Sequence, residues 1–296
     1  MVDKTLIIQT AANIAQEISA CAIIIMSADL SLNINTNIPV LIASPTTMIM
    51  TGVFLEGDDL DDGKNPAQRL QNLSNTLYHK ASSGSEFIID ASAAAFIKNL
   101  LEGDRVVGIV SYEGTTSIVI HDLKDNHIVK ELKVCSERVD LEILKSVLLI
   151  AIELGIYGRE GKSIGTAFII GDAKEVMKRS HQLVLNPFLG HPEKDRNIRD
   201  TMRWETVKEF SQLDGVFILE CEGYLIAAGR YLDVDAKDVE TVKGLGGRHA
   251  SAAAITRDTE AVAVTVSESD GEIRIYRDGI QVLEINPRSL KVSLSL

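Results

Sequence analysis

The chain is poor in the features that mark extracellular, membrane and nucleic-acid-binding proteins. Three cysteines, Cys21, Cys135 and Cys221, are scattered through 296 residues. Their odd number and wide spacing exclude a disulfide framework, and no Cys-x-x-Cys is present for zinc or redox work. They read as small buried residues. Long apolar runs are missing too. The longest are Ala20–Met26 and Val147–Ile152, of seven and six residues, against the ~20 needed to cross a bilayer. Residues 1–17 hold one lysine, Lys4, and place Gln9, Asn13 and Glu17 within their apolar stretch, which is not a secretory signal. The expectation is a cytoplasmic protein with no membrane partner. Positive charge is also short: 30 Lys and Arg face 42 Asp and Glu, for a net charge of −12. Such a surface repels a nucleic-acid backbone and excludes nucleic acid as the main partner. An anionic substrate would need a metal or a local cluster of Arg and His.

What is present is ordinary globular material, 45% hydrophobic and 24% charged. The length predicts two domains at about 100–200 residues each, enough to bury cores without staples. The first ~130 residues read as α/β. A helix fits Thr5–Ser19, with Leu6, Ile7, Ala11, Ile14 and Ile18 on one stripe. Strands fit Ala22–Met26 and Pro39–Ala43, a helix Ala67–Lys80, and a hairpin Arg105–Tyr112 with Thr115–His121. This alternation predicts a three-layer sandwich. The boundary falls at roughly 125–136, after a polar turn and a possible short strand. A long helix then starts near Ser136, its cap, with Val139, Ile143, Val147, Ile150 and Leu154 on one face.

The second half alternates again. The pattern predicts strand Thr166–Ile170, an Asp172-capped helix Ala173–Ser180 and helix Ile198–Phe210. A hairpin Gly215–Cys221 with Tyr224–Leu232 follows, then helix Arg248–Arg257 and strands Ala261–Val266, Glu272–Tyr276 and Ile280–Ile285. Two motifs are decoys. The acidic stretch Glu56–Gly63 puts Leu60 and Arg69 where a calcium loop needs oxygen ligands, so it reads as a solvated loop. Gly155–Ser163 resembles a P-loop, but Ile156 occupies the first glycine's position and a helix precedes the loop instead of following it. A helix C-cap and connector is the better reading.

The chemistry concentrates between Asp214 and Glu268. Asp214-Gly215 places a carboxylate at a strand start, where glycine lets a ligand approach the backbone. Gly246-Gly247-Arg248-His249 opens an Ala-rich helix whose N-terminal amides, with Arg and His, can bind anions. Ser267-Glu268 ends a buried strand and can reach a metal or a ribose. A phosphate-rich ligand, carboxylates and a divalent metal suit phosphoryl or nucleotidyl transfer.

Those stretches, Asp214–Leu219, Ile226–Leu232, Gly246–His249 and Ala261–Glu268, in that order, resemble the diadenylate cyclase (DAC) domain. Gly161–Asp172 and Asn186–Gly190 are similar to the family's first strand and following loop, so the likeness covers about residues 137–290. The first half resembles, more loosely, the C-terminal α/β domain of pyruvate kinase, through Thr10–Ala15, Ala22–Met26 and Pro39–Ala43. The resemblance implies a pyruvate-kinase-C-terminal-like α/β domain over 1–130, for oligomerisation or regulation. A DAC domain over 136–296 follows, with a central mixed sheet flanked by helices. Two departures stand out. Val216 replaces the family's Ala, and Ala250 and Gly247 replace an Arg and a Thr around the Arg-His pair. One phosphate-binding cation is missing, and Arg230 or Arg257 could compensate.

The resemblance implies condensation of two ATP into cyclic di-AMP and pyrophosphate across two face-to-face DAC domains of a homo-oligomer. It makes Asp214, Arg248 and His249 catalytic. It assigns ATP binding to Gly215, Leu232, Gly246, Gly247, Arg248, His249, Ser251 and Ser267. Asp214 and Glu268 would hold a divalent metal, Mn2+ in preference to Mg2+. The alternative is a catalytically silent, nucleotide-binding regulatory protein of the same fold, which Ala250 favours.

Overall fold

The computed structural model describes residues 4–26, 36–45, 84–112, 115–237, 239, 246–288 and 292–295. The acidic stretch 56–63 and the expected helix 67–80 lie outside them. The chain divides into two compact units, residues 1–126 with 291–296, and residues 127–290.

The first unit is built on β1 (Ala22–Met26), β2 (Val40–Pro45), β3 (Arg105–Tyr112), β4 (Thr115–Asp122) and β12 (Val292–Ser295), in the order β12-β2-β1-β3-β4. β1 runs parallel to β2 and β3, whereas β3–β4 is an antiparallel hairpin. All five β1 residues are buried, because a strand presents alternate side chains to opposite faces. Ile23 and Ile25 pack with Ile8, Ala11 and Ala15 of α1 (Lys4–Glu17). Ala22, Ile24 and Met26 pack with Ile88, Ala91 and Ala95 of α2, a helix over residues 84–97. The expected three layers are therefore present, but α2 is a helix the sequence pattern did not single out. β12 was likewise not anticipated. It pairs antiparallel with β2, so the last strand joins the first unit's sheet and not the domain read over 136–296.

The second unit holds a mixed seven-stranded sheet in the order β11-β10-β9-β5-β7-β8-β6. Its strands are β5 (Thr166–Ile170), β6 (Ser180–Gln182), β7 (Val216–Leu219), β8 (Leu225–Leu232), β9 (Val262–Val266), β10 (Ile273–Arg277) and β11 (Ile280–Ile285). One core unites Ala167, Ile169, Val216, Ile218, Leu232 and Ala263 with Ala252, Ala253 and Ile255 of α7 (Gly247–Asp258) and Val176 of α5 (Ala173–Lys178). Alternate residues point the other way. Phe168 stacks on Phe217 at 4.8 Å. α4 (Leu141–Tyr157), which buries Ile143, Val147, Ile150 and Leu154, packs on β9 and β10. Helices thus flank both faces.

Several boundaries differ from expectation, among them the helix read over Ala173–Ser180, which ends at Lys178 before Ser180 opens β6. α3 (His127–Cys135) occupies the segment read as a possible short strand. Ser136 does not cap α4; its hydroxyl donates to Lys133 O at 2.6 Å and closes α3. The cap is Asp140, whose Oδ1 accepts from the Glu142 and Ile143 amides at 2.8 and 3.3 Å. The helix read over 198–210 begins as a 3-10 turn, Thr201–Arg203, and becomes α-helical only in α6 (Trp204–Phe210). Asp140→Ala should therefore lower unfolding free energy by about 1 kcal/mol, while Ser136→Ala should change it far less, as read by urea denaturation. Equal losses would contradict this assignment of the cap.

Candidate active site

Strand register gathers the candidate residues at one edge of the second sheet. β5 and β9 are antiparallel with Thr166 opposite Val266, so Gly165 and Ser267-Glu268 emerge together. β7 runs parallel to β5, which brings Asp214-Gly215 to the same edge. β8 returns antiparallel with Arg230 opposite Val216, so its end, Leu232, arrives there too. α7 begins above this edge, with Gly246 as its N-cap.

Arg248, in the first turn of α7, ties the edge together. Its Nη2 donates to Asp214 Oδ1 at 3.0 Å, and its Nη1 lies 3.9 Å from Glu268 Oε2. Both carboxylates face solvent, with side chains 82% and 70% exposed, whereas the Arg248 side chain is 33% exposed. Asp214 Oδ1 also accepts from the Gly215 amide at 3.0 Å. Two glycines make the close approach possible. Gly215 sits at φ +103, and a Cβ there would lie 2.6 Å from Arg230 O. A Cβ on Gly165 would lie 2.9 Å from Glu268 Cβ and 3.0 Å from Arg248 Nη1. By contrast, a Cβ on Gly246 or Gly247 would meet nothing within 4 Å among the described residues.

His249 lies elsewhere than beside Arg248's open face. It is 5% exposed, and its Nδ1 is 3.1 Å from both Tyr276 Oη and Thr265 Oγ1. Burial, reinforced by the neighbouring Arg274 and Arg248 guanidiniums, holds its imidazole below the ordinary range. Burial likewise pushes the Tyr276 phenol up to about 12. Both therefore stay neutral at pH 7. His249 anchors the first turn of α7 to β9 and β10 and positions Arg248 from beneath.

The remaining candidates divide. Ser251 Oγ donates to Arg248 O at 3.1 Å, inside its own helix turn. Ser267 is 7% exposed and pairs with Ser269 Oγ at 3.1 Å. Leu232 is 4% exposed and packs in the core, leaving only its main chain to a ligand. Arg230 cannot supply the missing cation. Its Nε donates to Ser180 Oγ at 2.9 Å, and its Nη2 donates to the Met177 and Ser180 carbonyls. Arg257 is engaged with Asp258 and the Asp235 carbonyl at 2.8 and 2.9 Å. Among the described residues no cluster of three or more His, Cys, Asp and Glu could hold a metal. Asp214 and Glu268 are an exposed pair of hard oxygen donors flanking one cation. They fit Mg2+ or Mn2+ that takes its other ligands from phosphate and water.

Sequence reasoning assigned no role to Gly165, Thr265 or Tyr276. Gly165 lay inside a quoted motif, but only the register shows that it abuts Arg248. No pattern in the sequence pairs Tyr276 with His249. Because the folded pKa of His249 is depressed, the unfolded chain takes up the proton first as pH falls below about 6.5. The stability due to neutral His249 is complete above that pH and declines as pH falls through it. The melting-temperature gap between wild type and His249→Asn should therefore narrow between about pH 7.5 and 5.5. A constant gap would contradict a buried neutral histidine.

A family model described as "DisA bacterial checkpoint controller nucleotide-binding" (DAC) matches residues 153–281. A second, described as "Probable sensor domain DacZ_A", matches residues 6–124. A protein named diadenylate cyclase from Methanocaldococcus jannaschii is 39% identical over 202 residues, covering 65% of this chain and 63% of that protein. Another from Haloferax volcanii is 43% identical over 155 residues, covering 52% of this chain and 56% of that protein. The chain thus spans less than two thirds of the length of either relative. DacA from Staphylococcus aureus overlays with a TM-score of 0.33 and 21% identity over 47% of this chain and 84% of that one, too loosely for residue-level correspondence. The match over 153–281 takes in Asp214, Arg248 and Glu268 together, and that segment of the chain is a DAC domain.

Proposed function

We propose that the protein is a nucleotidyltransferase that condenses two ATP into cyclic di-AMP and two pyrophosphates. The observation that carries this reading is Arg248 held between Asp214 and Glu268 at the open start of α7. A guanidinium and helix amides face the phosphates, and a carboxylate stands ready for a hydroxyl.

In this reading each site takes one ATP. The Gly246 and Gly247 backbone and Arg248 cradle the triphosphate, with Ser251 and Ser267 at its margins. Adenine lies on the Leu232 main chain. Gly215 lets the ribose approach the strand. Asp214 accepts the proton of the ribose 3′-hydroxyl, whose oxygen attacks the α-phosphorus of the other ATP, and pyrophosphate leaves. Arg248 offsets the charge that develops on the phosphoryl oxygens. His249 holds Arg248 in register. A divalent metal, Mn2+ in preference to Mg2+, would be held by Asp214 and Glu268 and would supply Lewis-acid charge neutralisation.

One site binds one nucleotide, so ring closure needs a second copy facing the first across a two-fold axis. The first unit would control that assembly as an oligomerisation or sensor domain. A cytoplasmic location accords with the chain's lack, among the described residues, of any helix long and apolar enough to cross a membrane.

A second reading keeps the fold and nucleotide binding without catalysis. Ala250 favours it, as does the engagement of Arg230 and Arg257 elsewhere. Incubation with ATP and Mn2+ or Mg2+ separates the two readings: cyclic di-AMP and pyrophosphate by mass spectrometry support the cyclase, and their absence despite ATP binding supports the regulator. Asp214→Asn should keep ATP binding while product formation falls by at least ~100-fold. Unimpaired turnover in that variant would remove Asp214 from the chemistry.

A further inference from the structure

Beside the candidate site lies a cleft of about 160 Å³ of whose lining the proposed chemistry uses only Ser267. Its walls include Lys162, Ser163, Ser267, Ser269, Asp270 and Arg288. It is built on the glycines of the P-loop decoy. A Cβ on Gly155 would overlap Gly271 O, and one on Gly158 would overlap Lys162 O. The end of α4 therefore meets the β9–β10 turn backbone to backbone, and the chain doubles back tightly before β5. The cleft occupies the same sheet edge as Glu268. Ser267 immediately precedes Glu268, and Ile164, another lining residue, immediately precedes Gly165, which abuts Arg248.

Its charge points one way. Neither the Lys162 nor the Arg288 side chain pairs with a carboxylate among the described residues. Two other basic side chains near this edge are occupied: Arg274 by Glu272 and Glu284, and Arg230 by carbonyls. The one carboxylate in the cleft, Asp270, accepts from the Glu272 amide at 2.9 Å and closes the turn. Two cations unpaired among the described residues and three serine hydroxyls in a concave site, on a chain of net charge −12, form a local anion receptor.

We propose that this cleft is a phosphate subsite, with Lys162 and Arg288 as its cations, continuing the anion-binding edge that Arg248 begins. On the cyclase reading, on which this assignment rests, it takes the distal phosphates of ATP and then pyrophosphate. It supplies from the α4–β5 connection and the end of β11 the cation that Ala250 lacks. The same chemistry would accept a free phosphoryl effector.

The test uses the full chain with Mn2+ and calorimetry on AMP, a non-hydrolysable ATP analogue and pyrophosphate. In Lys162→Gln/Arg288→Gln, affinity for the analogue and for pyrophosphate should fall ~10-fold, with AMP affinity within about twofold. Lys162→Arg with Arg288→Lys should restore most of the loss. Pyrophosphate that competes with the analogue identifies the substrate tail; pyrophosphate that binds without competing identifies an effector. Unchanged affinity for both phosphate ligands, or an equal loss for AMP, would overturn the subsite. Cyclic product from wild type with unchanged phosphate affinities in the double variant would keep the cyclase and discard the subsite. No product, with pyrophosphate binding still lost in the variant, would do the reverse.

Discussion

Everything at the candidate site depends on where Arg248 is held. Its pairs with Asp214 and Glu268 contribute little to stability, because both carboxylates are mostly in water and exposed ion pairs are worth roughly 0–1 kcal/mol. The guanidinium is fixed from behind. His249, one residue on, is buried against Tyr276 and Thr265, and Gly165 leaves no side chain in the way. A neutral histidine suits this task, since a buried imidazolium beside Arg274 would repel its neighbours. The two residues of the Arg-His pair thus divide the work: one faces the carboxylates at the open edge and the other faces the core.

The scaffold achieves this with little irregular chain. Mixed strand direction is the essential device. Antiparallel β9 and β8 flank the parallel pair β5 and β7, so two strand starts and two strand ends reach one edge. A purely parallel sheet would send Glu268 to the opposite end from Asp214. Glycine then sets the depth of the site. Gly215 brings β7 within backbone contact of Arg230, where any Cβ would collide. A substitution there would displace Asp214 along with the strand.

Much of this is legible in the sequence, for physical reasons. β1, β5 and β11 match their expected spans, because short β-branched runs between turns leave little freedom. Asp214 stands out because it precedes such a run, Glu268 because it follows one, and Arg248 because it follows Gly246-Gly247 at a helix start. Local pattern fails where tertiary contacts decide. α2 is rich in Ala and Ser and shows no strong stripe because β1, β3 and the rest of that core bury much of its surface. Asp140 outcompetes Ser136 as cap because α3 continues to Cys135 and uses the Ser136 hydroxyl itself. In the sequence, His249 reads as a ligand-facing partner of Arg248. Its burial is set by Thr265 and Tyr276, which are 16 and 27 residues away. In the sequence, Arg230 reads as a spare cation. Its carbonyl partners come from the α5–β6 segment, which the hydrophobic pattern cannot place beside β8.

The charge of the chain bears last on the site's economy of cations. At net −12, the background field opposes binding of a polyphosphate, and screening over about 8–10 Å confines any attraction to groups near the ligand. Only cations free of carboxylates can supply it. Arg248 is shared with two acids that a bound metal would draw away, which would free its donors for phosphate just when the metal raises the local positive charge. The carboxylate pair and the arginine therefore need not be rivals. Without ligand, they neutralise one another. On the cyclase reading, with metal and nucleotide bound, the same three side chains would re-pair at short range.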